Sequence, residues 1–215
     1  KCLLGFDIAS LLLETIPESM KQNNNDPIIG MSILPVYSIY SKNPDKDISL
    51  VDVFSRTICQ ILKLNNNLKI KLFAFRSGER HSDVKIIEDI SNKLKGYSKR
   101  VDVAVYNGDI MEFIDQINEC NAMVSMRYHS LLFAYILKKS IVAIEYQGKC
   151  RSLAQEIGLE EGALLSLNDI SYNTLLDAIN KVLNNTDKCT NRRSVEKNLS
   201  IAKEMFSVVE CRKCK

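Results

Sequence analysis

Residues 122–149 read AMVSMRYHSLLFAYILKKSIVAIEYQGK, and this stretch decides the fold. Ala122 to Met126 is an apolar run of strand length that passes straight into a helical run, Tyr128 to about Lys138. A second strand-like run, Ser140 to Tyr146, follows it. Strand, helix and strand in that order make one parallel β-α-β unit. The unit puts Arg127 at the carboxyl end of a strand and His129 in the first turn of the next helix. In open α/β sheets ligands bind at that rim. A helix start offers unbonded N–H groups and a partial positive charge, so an Arg beside it suits a phosphate or a carboxylate. His129 adds an acid-base group.

An Arg and a His at a helix start also serve as plain surface or capping groups. Here the helix that follows, with Leu131, Leu132, Phe133, Ala134, Tyr135, Ile136 and Leu137, is apolar nearly all round and is expected to be buried. Burial of that helix holds the polar residues that open it at the sheet edge.

Outward from this unit the same alternation repeats. Strands are expected at 28–36, 69–75, 101–106, 122–126, 140–146 and 163–167, and helices at 50–64, 82–95, 109–119, 128–138, 149–157 and 171–185. Short apolar, β-branched strands separated by helical patterns predict a Rossmann-like, doubly wound parallel sheet of about six strands. Ser82 or Asp83, Asp109 and Ser171 stand where N-caps belong. A last helix, about 192–210, carries Val195, Leu199, Ala202, Met205, Phe206 and Val209 as one narrow apolar stripe and is expected to lie across a neighbouring surface.

Before residue 28 the pattern is different. Residues 3–13, LLGFDIASLLL, read as the end of a preceding unit, an apolar stretch compatible with a strand. A polar connector with Pro17, Asn23 to Asn25 and Pro27 follows. The expected organisation is therefore 1–27 as the end of a preceding domain and linker, 28–187 as the Rossmann-like domain, and 188–215 as a terminal amphipathic helix and tail. The opening Lys1 fits a piece of a longer protein.

Composition excludes several classes. The 215 residues are 46% hydrophobic and 26% charged, an ordinary globular balance. A net charge of +3 is too mild to predict nucleic-acid binding, although eight basic and three acidic residues gather from Lys188 onward. No apolar run is long enough to span a bilayer. Seven scattered cysteines (Cys2, Cys59, Cys120, Cys150, Cys189, Cys211 and Cys214) without framework spacing predict a reducing, cytoplasmic setting. Cys211 and Cys214 have the spacing of half a zinc site with no second pair to complete it. With two histidines in the chain, no His-based metal site is expected. Glycine patterns for dinucleotides or Walker-type phosphate loops are missing, as is a Gly-x-Ser-x-Gly elbow.

If the sheet is parallel, its strand ends converge. They carry Tyr37 and Ser38, the loop Arg76 to Asp83, Tyr106 to Asp109, Arg127 to Ser130, and Glu145 to Lys149. Arg76, Arg80, Arg127 and Lys149 would place four cations near one rim, which favours an anion. Lys149 at a helix start opposes the helix dipole, a placement tolerated when an anion lies between.

The run Ser125-Met126-Arg127-Tyr128-His129-Ser130, then Phe133-Ala134, then Ile144-Glu145-Tyr146 and Lys149, resembles the signature of polysaccharide pyruvyl transferases: S-x-R-x-H, a small-residue helix, and a strand ending in Y-x-x-K. Weaker similarity extends over roughly residues 3–186. The resemblance implies two Rossmann-like domains facing a cleft, similar to GT-B glycosyltransferases, with this chain carrying most of the carboxyl-terminal, donor-binding one. It implies transfer of the pyruvyl group of phosphoenolpyruvate onto two sugar hydroxyls of a cell-surface polysaccharide or lipid-linked oligosaccharide, forming a ketal and releasing phosphate without a cofactor. Carried onto these positions, His129 is the catalytic acid-base group, and Arg127, Tyr128, Ser130, Tyr146 and Lys149 bind substrate. Arg127 would clamp the phosphate or carboxylate through its fork, and Lys149 would hold the other anion. The Arg76–Asp83 loop matches the family only at Asp83. Two other readings stay open: the donor domain of a GT-B nucleotide-sugar glycosyltransferase, for which Glu145 is a poor ribose ligand, and a non-catalytic binding module of the same fold.

Overall fold

The computed structural model describes residues 6–15, 26–78, 80–184 and 194–213. Its centre is a six-stranded, wholly parallel sheet: β1 (Ile28–Ser32), β2 (Lys69–Ala74), β3 (Val101–Val105), β4 (Ala122–Ser125), β5 (Ser140–Glu145) and β6 (Leu164–Ser166). The strand order is β3-β2-β1-β4-β5-β6. The chain thus winds outward from β1 in one direction and returns to β1's other side at β4. That reversal opens a crevice at the carboxyl ends of β1 and β4, where open α/β sheets take ligands. All six expected strands are present.

Period-two alternation sends the strand side chains to two cores. Ile29, Met31, Ile70, Leu72, Val124, Val142 and Ile144 face one helical layer, formed by α2 (Pro44–Leu64), α3 (Val84–Lys93) and α7 (Tyr172–Asn184). Phe73, Ala104, Met123, Ile141 and Ala143 face the other, formed by α4 (Ile110–Asn118), α5 (Tyr128–Ile136), α6 (Gly148–Glu156) and α8 (Val195–Lys213). Ser130 through Ile136 are all buried, as an all-apolar helix demands. Gly30 lies where β1 meets this second layer: a Cβ there would come within 2.2 Å of Met123 Sδ and 2.8 Å of Phe73.

The three largest departures from the sequence reading each have a local reason. β1 ends at Ser32 and not at residue 36, because Pro35 (φ −76°, ψ 69°) makes an inverse γ-turn closed by Val36 N–H to Leu34 O at 2.8 Å. A short helix, α1 (Val36–Tyr40), follows it. The next helix begins at Pro44, six residues earlier than expected, with proline inside its first turn and Asp45 and Asp47 favouring the dipole there. Residues Ile8–Thr15 form a 3-10 helix and not a strand, packed against α5 and α8. Phe6 meets Tyr135 edge to face at 6.1 Å.

The described part of the terminal helix packs as its stripe predicts, while the Phe206 and Val209 side chains lie outside the described residues. Val195 and Ala202 are buried against the α5 layer, and Asn198 donates to the buried Tyr135 hydroxyl at 3.0 Å. Lys203 pairs with Glu14 and Lys138 with Glu196, tying α8 to both neighbours. Of the expected caps, Asp109 accepts from Met111 and Glu112 amides at 2.9 and 3.1 Å, and Ser171 from Thr174 N–H at 3.2 Å. Residues 16–25 of the expected connector, and the Cys211 and Cys214 side chains, lie outside the described residues.

Candidate functional site

Arg127 sits one residue past Met126 at the end of β4, in the crevice between β1 and β4. Its backbone is fixed from β1: Met126 N–H donates to Ser32 O at 3.0 Å and Arg127 N–H to Ser32 Oγ at 3.2 Å. From there α5 starts, and its first N–H groups lack intrahelical acceptors, as at every helix start. The four-cation expectation is modified by what Arg127 touches. Its Nε donates to Asp83 Oδ2 at 3.0 Å, its NH2 group donates to Oδ1, and NH2 also donates to the His81 carbonyl at 3.1 Å. The guanidinium charge is therefore compensated within the protein, and among the described residues no hydrogen bond engages NH1.

Asp83 is fully buried and also accepts the Phe75 and Arg76 amides at 3.1 and 3.2 Å. Burial pushes its carboxyl above the usual carboxylate range, and the Arg127 contacts and these two amides oppose that push. Both carboxyl oxygens act only as acceptors, which is the ionised form's pattern. Arg76 and Arg80 stand exposed on the same loop. His81 is exposed too, but its backbone takes the left-handed conformation (φ 59°) with its carbonyl accepting from Arg127.

His129 is exposed in the first turn of α5, its ring 5.4 Å from Tyr128 and 6.2 Å from Phe133, stacked on the latter. Phe133 continues into Phe75 and Phe113, an aromatic wall behind the imidazole. Tyr128 is half-buried and its hydroxyl bonds Asp7; burial, and then that carboxylate, push its phenol well above the ordinary value. Lys149 Nζ lies 6.0 Å from the Tyr128 ring centroid, within reach of a cation–π contact. The α6 start that carries Lys149 is anchored to β4 by Cys150, whose thiol donates to Met126 O at 3.8 Å and is pushed by burial to about 11.

Tyr146 completes the group. It lies against Tyr40 of α1, and burial raises its phenol while nearby Arg127 lowers it. Ser130 does not join them: it is buried and its hydroxyl shares a 2.9 Å bond with Ser125, so it is a strut beneath the site and not a group open to a ligand. Glu145 is also committed, with Arg151 Nε donating to Oε1 at 2.7 Å. The structure thus brings Arg127, Tyr128, His129, Tyr146 and Lys149 to the rim. It adds Asp7 and Tyr40, which spacing alone did not assign to it, and gives Asp83 of the rim loop a partner, Arg127. Among the described residues no cluster of three or more His, Cys, Asp or Glu could hold a metal ion, and no helix is long and apolar enough to cross a membrane.

A polar end-on guanidinium, a helix start, a lysine and an imidazole suit a small dianion that must gain or lose a proton. The family described as polysaccharide pyruvyl transferase matches residues 1–148. No curated protein sequence matches the chain. Among solved structures it is similar to UDP-GlcNAc 2-epimerase of Methanocaldococcus jannaschii, solved with UDP-GlcNAc and UDP (14% identity, TM-score 0.60, 97% of this chain and 54% of that one). It is also similar to UDP-GlcNAc 2-epimerase of Neisseria meningitidis (12% identity, TM-score 0.61, 94% and 51%). A UDP-forming α,α-trehalose-phosphate synthase of Burkholderia vietnamiensis gives 11% identity, TM-score 0.60, and 98% and 52%. These likenesses carry the fold alone, the GT-B-like layout expected from the sequence. The chain spans about half the length of the solved structures it matches.

Proposed function

The chain belongs to the polysaccharide pyruvyl transferase family, and from that premise we propose that it carries the donor-binding half of an enzyme moving a pyruvyl group from phosphoenolpyruvate to two sugar hydroxyls. In this reading 28–187 is the donor domain, 1–27 the end of a preceding domain and its linker, and 188–215 a terminal amphipathic helix and tail. The acceptor is a cell-surface polysaccharide or a lipid-linked oligosaccharide, met on the cytoplasmic side. The buried thiol of Cys150, outside any disulfide, suits a reducing compartment.

The chemistry asks for few groups. Proton transfer to the methylene carbon of the enol phosphate puts cationic character on the carbon that bears phosphate. One sugar hydroxyl attacks that carbon and returns a proton to the acid-base group, phosphate leaves with the C–O bonding pair, and the second hydroxyl closes the ketal as its proton passes to the departing phosphate. The balance is donor plus diol to ketal plus inorganic phosphate. In our reading the NH1 end of Arg127 and the α5 amides receive one anionic group, Lys149 the other, and His129 moves the proton. A group so placed contributes about 10²–10⁴-fold. Tyr146, kept as a neutral phenol, offers a hydroxyl at the same rim, and Tyr128 carries the aromatic face under Lys149.

The observation that carries this reading is the junction at the end of β4: a guanidinium held with one end open, directly before a helix start, with an imidazole two residues on. Titrating phosphoenolpyruvate and a UDP-sugar into the chain and into Arg127→Ala and His129→Ala tests it. Saturable phosphoenolpyruvate binding that weakens tenfold or more in Arg127→Ala, while staying measurable, is expected. Binding of the UDP-sugar without phosphoenolpyruvate would move the assignment to a nucleotide-sugar glycosyltransferase, although the pairing of Glu145 with Arg151 leaves that reading without its acidic ribose ligand.

A further inference from the structure

We infer that Asp83 is a positioning residue of the donor site, acting on the ligand only through Arg127. The inference rests on the donor reading above and adds to it a residue and a geometry. Asp83 stands at the N-cap of α3, where an Asp normally bonds its own helix amides. It makes no such bond, and Ser82 Oγ accepts the Val84 amide at 3.2 Å in its place. The carboxylate instead faces the guanidinium with both oxygens.

Three features of this loop meet at Arg127. A capping carboxylate is turned from its helix to the guanidinium and to the Phe75 and Arg76 amides of its own loop. A charge is held in a fully buried side chain, where an ion pair gives little net stability over an apolar replacement. His81, a non-glycine residue, is held at φ 59°, and it is its carbonyl that takes the remaining NH2 donor. The loop amides explain why the carboxylate is held in place, and the other two contacts explain what it holds. Their joint effect is to fix the guanidinium plane, with Nε and NH2 engaged and NH1 directed away from Asp83.

The geometry makes the ligand contact end-on through NH1, not the two-point fork that an unencumbered arginine would offer. Asp83 also compensates the arginine's charge, so selectivity for the donor depends on shape and on Lys149 more than on bulk positive potential. Loss of Asp83 would leave a mobile cation that still attracts anions but no longer holds them in the reacting geometry, and small misplacements of this kind cost up to about a hundredfold.

The test compares Asp83→Asn, which keeps the shape, and Asp83→Ala with the unaltered chain, each with Arg127 intact and with Arg127→Ala. Phosphoenolpyruvate affinity is read by calorimetry, and the Arg127 Nε–H resonance by NMR of arginine-labelled protein. A roughly tenfold or larger loss of affinity is expected for Asp83→Asn when Arg127 is present, and less than twofold when it is absent. The Nε–H resonance, slow to exchange in the unaltered chain, disappears in Asp83→Asn. Equal losses in both backgrounds, or an Nε–H signal indifferent to residue 83, would overturn the inference. Should the unaltered chain not bind phosphoenolpyruvate at all, the donor assignment fails by itself. The resonance then still decides whether Asp83 holds Arg127: its absence in the unaltered chain overturns the inference, and its dependence on Asp83 supports it.

Discussion

The rings of Tyr40 and Tyr146 lie 5.8 Å apart, centroid to centroid, tilted by 38°. The contact joins α1, at the end of β1, to the residue that closes β5. α1 is five residues long and begins after Pro35, which provides no side-chain cap. Asp47, from the first turn of α2, does that work at a distance: its carboxylate accepts the Tyr37 and Ser38 amides at 3.0 and 2.6 Å and the Ser38 hydroxyl at 2.5 Å. Asp47→Ala is therefore expected to cost about 1–2 kcal/mol and to release α1, so that Tyr40 separates from Tyr146. Urea unfolding reads the first effect and ring-to-ring nuclear Overhauser contacts the second. A variant with the stability loss but an unchanged Tyr40–Tyr146 contact would show that α1 is held by something other than Asp47.

That pair also shows where sequence reading stops. The sheet was legible because each strand is a short apolar run whose neighbours are helical, and the Arg127 to Lys149 unit because its polar residues interrupt an otherwise buried stretch. α1 was not legible, since its cap comes from a residue nine to ten positions later. Asp83 was read as a helix cap because its position relative to α3 is that of a cap. Only the fold, which brings residues 83 and 127 together across the β1–β4 crevice, shows the carboxylate turned to another partner. Ser130 shows the opposite case. Its place in the motif is on the site helix, yet the 3.6-residue period turns its hydroxyl inward to Ser125.

Gly30 occupies the middle of the central strand with Met123 Sδ, Phe73 Cε2 and Cys120 Sγ closing on the place of a Cβ. All three neighbours are themselves fully buried, so none can step aside into solvent. Gly30→Ala is expected to destabilise the fold by about 1–3 kcal/mol through overpacking. At about 2–4 °C per kcal/mol for a chain of this size, the thermal midpoint falls by several degrees. An unchanged midpoint would mean that β1 and β4 can separate without cost.

Lys139 gives the fold a pH signature. It is buried before β5, its Nζ donates to Asn118 O at 2.6 Å, and burial lowers its ammonium from 10.5 to about 8. Between those two values the unfolded chain binds a proton that the folded chain does not. Raising the pH removes it from the unfolded state, so stability rises with pH across that window and falls as pH drops through it. Relative to Lys139→Met, which titrates in neither state, the unaltered chain should gain stability from pH 8 to pH 10. Denaturant unfolding at several pH values reads the difference. A flat difference would place the Lys139 ammonium in contact with water.

On the proposed donor-site reading, His129 is the rim residue expected to separate binding from chemistry. Its ring is exposed and is held by stacking on Phe133, with no charged partner among the described residues. Removing it therefore leaves Arg127, Asp83 and Lys149 where they are. In the full-length enzyme His129→Gln is expected to keep phosphoenolpyruvate affinity within about threefold while turnover falls by about a hundredfold or more, the range of a lost general acid or base. Arg127→Ala should show the reverse weighting, with affinity falling first. Isothermal titration and a phosphate-release assay on the same preparations measure both quantities. If His129→Gln loses affinity as fully as turnover, the imidazole is a donor ligand and the proton must come from elsewhere. Lys149, whose ammonium lies near the Tyr128 ring, is then the group to replace next.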